Sequence, residues 1–242
     1  VSDPVLAPLP DCAGAVRGAA PSISLYVMEC LREDILAGVF EPGARLPFKI
    51  LEMRYGVSVV PIREALSRLV ASGLVELEAQ RGFRVSSITI AEFDDITANR
   101  LHLESHALRL SVARGDAAWR DRVRMAQDRY ARVAEKAGEA EPLSGEWESL
   151  HRACHMSQIA ACGSPMLVAF CADLSDRFDR YRRFALPSKT FTAGVSGDHA
   201  ALAQAATAND GDAAAALFDR HVRETAAIVR AELACLGVPE SR

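Results

Sequence analysis

The stretch that decides the fold is Tyr55-Gly-Val-Ser-Val-Val-Pro-Ile-Arg-Glu-Ala-Leu-Ser-Arg-Leu69. Ser58 can cap a helix, and Pro61 falls in its first turn, where a missing N–H costs little. Ile62, Ala65, Leu66, Leu69 and Val70 recur at helical spacing and make one apolar face. With that face inward, Val60, Arg63, Glu64 and Ser67 point outward or flank the outer side. Gly73 ends the helix. Upstream, a short helix over about Phe48 to Tyr55 stops at Gly56, and Glu41-Pro42-Gly43 makes a turn. Further back, Ser22 can cap a helix to about Ala37, with Leu25, Met28, Leu31, Ile35 and Leu36 on its apolar side and Gly38 at its end. Downstream, Leu74–Glu78 and Phe83–Ser87 alternate, and Gln80-Arg81-Gly82 supplies the bend of a hairpin.

Helix, short helix, tight turn, helix, hairpin is the order of a winged helix-turn-helix. A helix of this size fits the major groove of double-stranded DNA, and its first residues reach base edges. Arg63 suits a guanine edge or a phosphate. Lys49 and Arg54, on the preceding helix, suit phosphates. Arg81 and Gly82 sit at the wing tip, where Gly allows close backbone approach and Arg suits a narrow groove. Residues 21–88 carry as many acidic as basic side chains, so any positive face comes from position rather than total. A small helical domain used for protein contacts is the competing reading.

Beyond Ile90 the periodicity is helical almost to the end, with helices expected near 91–114, 116–137, 143–161, 164–185, 196–208 and 211–236. The chain therefore reads as mainly α in three parts. Residues 1–20 are an Ala/Pro-rich flexible tail, 21–88 the winged helix-turn-helix, and 89–242 an all-α, six-helix antiparallel bundle. The hinge falls at 86–90.

All six histidines lie in the helical half. His151 and His155 are four apart, so they share a helix face, and Trp147, Leu150, Cys154 and Ile159 place that face inward. His221 lies on an apolar seam with Leu217, Phe218 and Ile228. His199 begins another helix. Four imidazoles on inward faces of three helices suit a nitrogen-rich zinc, nickel or iron site. The bland alternative is a set of hydrogen-bonded core histidines. His102 and His106 form a second such pair and read as structural or pocket-lining. Arg100 and Glu104, also four apart, are either a helix-surface salt bridge or a cavity-facing arginine able to take a ligand's carboxylate.

The run from Tyr55 to Leu69, with Ile35-Leu36-Ala37-Gly38, Pro42-Gly43-Ala44-Arg45-Leu46 and Gln80-Arg81-Gly82-Phe83-Arg84-Val85, resembles the GntR family of transcription regulators. The helical half is similar to the FCD ligand-binding domain of its FadR-like branch. That resemblance implies DNA contacts at Lys49, Ser58, Arg63, Arg81 and Gly82. It also implies metal ligands at His155, which precedes Ile159-Ala-Ala-Cys-Gly-Ser164, and at His199 and His221. His151 stands where many relatives have an aspartate ligand. The chain departs from the family at Val59, where an arginine is common. Trp147-Glu-Ser-Leu-His151 and Ala161-Cys-Gly-Ser164 resemble regulators of glutarate use found among carbon-starvation genes, which implies a dicarboxylate or hydroxy acid as effector.

The net charge of −4 rules out a uniformly basic nucleic-acid binder. Six cysteines without a C-x-x-C pair suit reduced thiols in a cytoplasm. No apolar run is long enough to span a membrane, and the first residues lack the basic start and apolar stretch of a signal peptide. Paired operator half-sites call for a homodimer. The sequence thus points to a repressor governed by a small carboxylate. A metal-dependent enzyme acting on a small organic acid and an acyl-CoA-sensing regulator without metal are the alternatives.

Overall fold

A computed structural model describes residues 22–137, 145–186 and 192–241. The expected tail and the expected break at Pro187-Ser188 lie outside these residues, as does the expected break at 138–145 except for Gly145, which begins a helix. The chain divides into two compact units, Val1–Ile88 and Thr89–Arg242.

The first unit holds α1 (Ile23–Leu36), α2 (Phe48–Tyr55), α3 (Val59–Ala71), β1 (Val75–Glu78) and β2 (Gly82–Val85). Ser22 caps α1 by accepting from the Leu25 amide. The apolar faces of α1 and α3 meet in one core, where Leu31, Leu51, Ile62, Ala65 and Leu66 have no exposed surface. The hairpin is antiparallel with Val75 opposite Val85 and Leu77 opposite Phe83, which puts all four on one face; Val75, Phe83 and Val85 are buried in the core, while Leu77 is exposed. Residues 43–46 add a third, strand-like edge: the amides of Gly43 and Leu46 donate to the carbonyls of Val85 and Phe83, and Val85 donates back to Ala44.

The second unit holds α4 (Ile90–Arg114), α5 (Ala117–Ala137), α6 (Gly145–Ile159), α7 (Pro165–Ala185), α8 (Thr192–Thr207) and α9 (Gly211–Cys235). The long helix α4 packs against α9 and α7, α5 against α6 and α8, and α8 against α9. Its start is doubly satisfied. Thr89 accepts from the Glu92 amide, and the amides of Ile90 and Ala91 donate to the carbonyls of Pro239 and Glu240. Ala107, Val123, Cys162, Cys171, Ala206 and Ala214 are fully buried where the helices meet. The α8 helix starts at Thr192 rather than near 196; Gly194 and Gly197 lie inside it instead of ending the preceding loop.

Candidate functional site

Three helices bring four imidazoles together. His151 and His155 lie one turn apart on α6, His199 on α8 and His221 on α9, and all four are buried. His155 Nε2 is 3.3 Å from His151 Nε2 and 3.0 Å from His199 Nε2, and one donor atom from each of the four lies within 4.8 Å of the others. Aromatic rings wall the cluster. Trp147 stacks on His151 at 4.8 Å with planes 10° apart, and Tyr130 from α5 leans on His199 at 4.8 Å.

Hydrogen bonding alone does not satisfy this arrangement. One Nε2 of His155 faces two others and has a single proton or a single lone pair to offer. The buried Nδ1 atoms of His151 and His155 have no hydrogen-bond partner. Burial, reinforced by the neighbouring imidazoles, holds His151 and His155 well below the ordinary histidine range. Burial likewise brings His221 down to about 3. All three are therefore neutral at pH 7, with lone pairs available. Two donors on one zinc at about 2.0–2.1 Å lie at most roughly 4.2 Å apart, so the 3.0 and 3.3 Å contacts match shared coordination. Asp198 Oδ2 is 3.9 Å from His221 Nδ1, longer than a hydrogen bond but near enough to support the imidazole electrostatically. The donor set fits a transition metal.

Arg100, His151, His155 and His221 line one cavity with Asp179 and Arg182. Arg100 is not on a helix surface but buried, with Nε and Nη2 on the two oxygens of Glu104 at 2.6 and 3.1 Å and its guanidinium 4.5 Å over the Phe178 ring. Arg182 escaped the sequence reading. It is 1% exposed and ion-paired to Glu148 and to Asp179. Burial raises the Glu148 carboxyl above its usual range, against the opposing pull of Arg182. His102 and His106 are exposed on the outer side of α4 and line no part of this cavity, contrary to the pocket-lining expectation.

The other surface is built on α3. Val60, Arg63 and Ser67 are exposed along one side. The Arg63 guanidinium sits 5.1 Å over the Phe48 ring, and Phe48 packs edge-on to Phe83 of the hairpin at 6.1 Å. One aromatic pair thus joins α2, the hairpin and α3. The Ser67 hydroxyl donates to the Arg63 carbonyl at 2.8 Å. Ser58 occupies the N-cap of α3 but makes no side-chain cap bond. Ser22, Thr89, Ser164 and Asp210 each cap the amide three residues on; at Ser58 that residue is Pro61, which has no N–H. Lys49 is exposed on α2, and Arg81 at the hairpin tip stands between Gln80 at φ 62° and Gly82 at φ 84°. Arg45, unremarked in the sequence beyond its motif, is exposed where residues 43–46 meet β2.

The gntR family of bacterial regulatory proteins matches residues 24–85, and the FCD domain matches residues 95–224. This chain belongs to the GntR family, with an FCD domain. The regulator BphR of Paraburkholderia xenovorans is 36% identical over 83% of this chain and 82% of its own length. The repressor GlaR of Escherichia coli is 33% identical over 84% of this chain and 94% of its own. The solved structure of E. coli McbR/YncC superposes with a TM-score of 0.75 at 21% identity, covering 88% of this chain and 99% of that one, and so shares the fold. Members of the GntR family bind operator DNA, typically as dimers, and FCD domains commonly hold a metal. The family and these relatives are regulators, not enzymes, so the enzyme alternative falls. No helix among the described residues is long and apolar enough to cross a membrane.

One expected DNA contact needs correction in this GntR chain. Arg54 is 9% exposed. Its Nε and Nη2 donate to Asp34 at 2.6 Å each, and the Tyr55 hydroxyl donates to the same carboxylate at 2.5 Å. Arg54 therefore ties α2 to α1 from inside and is withdrawn from phosphates.

Proposed function

We propose that this GntR protein is a cytoplasmic, homodimeric repressor whose operator binding is relieved by a small carboxylate, a dicarboxylate or hydroxy acid, taken up beside a metal held by His151, His155, His199 and His221. Zinc suits a set of neutral imidazoles best, with nickel or iron next. The observation that carries the reading is the convergence of four buried imidazoles, three of which line a cavity that also holds Arg100. A bound divalent ion supplies positive charge and open positions for anionic oxygen there. Arg100 engages Glu104 through two of its nitrogens, which leaves Nη1 for the effector's carboxylate, and Phe178 fixes the guanidinium plane. Lys49, Ser58, Val60, Arg63, Ser67, Arg81 and Gly82 form the DNA surface, Lys49 and Ser58 on phosphates and Arg63 on a base edge. An acyl-CoA sensor without metal leaves the frustrated imidazoles unexplained.

The test uses the zinc-loaded full chain and a panel of short dicarboxylates and 2-hydroxy acids. A member of the panel raises the melting temperature by mass action and weakens operator binding; operator DNA weakens its binding by the same factor. Exchanging Arg100→Gln together with Glu104→Gln keeps the buried pair neutral and hydrogen-bonded. This variant retains zinc and DNA binding and loses the response. A normal response in that variant, or in metal-free protein, refutes the arrangement.

A further inference from the structure

The surface of α3 carries an apolar side chain where solvent exposure gives it no structural reason. Val60, in the first turn, is 66% exposed, and Val59 beside it is half-buried. The helix core is complete without Val60: Ile62, Ala65, Leu66 and Leu69 fill the inward face. Val60 is bracketed by groups suited to nucleic acid. Ser58, two residues before it, has a hydroxyl that Pro61 leaves uncommitted to the cap. Arg63, three residues after it and therefore on the same side, is braced on Phe48. An isopropyl group between a phosphate-directed hydroxyl and a base-directed guanidinium is placed against base edges. In the major groove, the one apolar group that a base edge offers is the C5-methyl of thymine.

We propose that Val60 is a specificity-determining residue of this regulator: it packs on a thymine methyl in each operator half-site, next to the base pair that Arg63 reads. This rests on α3 being the groove-reading helix. A valine donates and accepts no hydrogen bond, so it cannot tell the polar edges of the bases apart. It distinguishes thymine from cytosine, and from uracil, by one methyl group alone. A site read this way carries its information as shape and apolar contact at that position and as a guanine edge at the next.

The experiment follows from that chemistry. The full chain selects a duplex from a randomised pool, and each thymine of the selected sequence is then replaced singly by deoxyuridine, which removes only the methyl. Wild-type protein loses about fourfold in affinity at one thymine per half-site, the effect of burying one methyl group, and is indifferent at the others. Val60→Ala, a change at an exposed position that leaves the core intact, binds the parent duplex more weakly and no longer distinguishes thymine from uracil there. Val60→Thr, which keeps a methyl, retains the discrimination. The proposal is overturned if no thymine-to-uracil exchange costs the wild type more than about 1.5-fold, or if Val60→Ala discriminates as well as wild type. Failure of the chain to select any sequence overturns it together with the DNA-binding reading. A selected sequence without thymine sensitivity overturns it alone.

Discussion

Replacing Asp34 by alanine tests whether Arg54 is a strut or a DNA contact. Asp34 receives three hydrogen bonds: two from Arg54 at 2.6 Å and one from the Tyr55 hydroxyl at 2.5 Å. The side chains of Arg54 and Asp34 are only 8% and 11% exposed, so the guanidinium left behind is charged, desolvated and without its carboxylate. Breaking a buried pair by removing one partner costs about 3–5 kcal/mol. The ring of Phe40, 5.9 Å from the guanidinium, recovers only a fraction of that. Small domains have little stability to lose, so the first unit opens far more often. Both tryptophans, Trp119 and Trp147, belong to the second unit, which makes tryptophan fluorescence blind to this change. Hydrogen exchange read on peptides from α1 to α3 reports it directly. Exchanging both partners, Asp34→Leu with Arg54→Met, restores most of the loss, because apolar replacements of a buried pair are often neutral or better. That double variant also keeps the wild-type salt dependence of operator binding. Exchange unaltered to within about 1 kcal/mol in Asp34→Ala, or a salt slope lowered by about one in the double variant, refutes the assignment.

Lys49→Ala behaves in the opposite way: stability is unchanged, while the slope of log affinity against log salt falls by about 0.9 for every duplex tested, as loss of one phosphate contact requires. An unaltered slope removes Lys49 from the interface. The metal-free protein loses stability as pH falls below about 6.5. His151, His155 and His221 are depressed in the folded state, so the unfolded chain takes up the protons first, at up to roughly 1.4 kcal/mol per pH unit for each histidine. For His221 the loss is complete near its folded value of about 3. Calorimetry from pH 7 to 4.5 checks this, and the drop must be smaller in His155→Gln than in wild type. Asp198→Asn removes the carboxylate behind His221 and lowers zinc affinity by about 10–100-fold in chelator competition; unchanged affinity excludes that supporting role.

The helix α3 was legible because Ile62, Ala65, Leu66 and Leu69 are spaced by the helix period, which fixes both the buried face and its opposite. His151, His155 and His221 were legible for the same reason, each lying on the apolar side of its own helix, whereas His199 was marked by the family resemblance. Partners distant in the chain were not. Arg54 looks like any basic residue in the last turn of a short helix until Asp34, twenty residues earlier, closes on it. Arg182 sits in a run of Arg180-Tyr181-Arg182-Arg183 that reads as a charged surface, and Glu148 on another helix makes it interior. Spacing by four says that His102 and His106 share a face but not which face, and the packing of α4 against α7 and α9 leaves theirs outside. The onset of α8 was misplaced because glycine frees the backbone without forbidding helix.

Pro61 has a wider consequence. It denies Ser58 the amide that the other capping side chains use, so α3 forgoes a bond that contributes about 0.5–2 kcal/mol to a helix. On the proposed DNA surface, the hydroxyl that lacks this cap bond is the one that meets a phosphate. An N–H restored at position 61 would then set helix capping against operator affinity for a single oxygen, giving a sturdier first unit with a weaker hold on DNA.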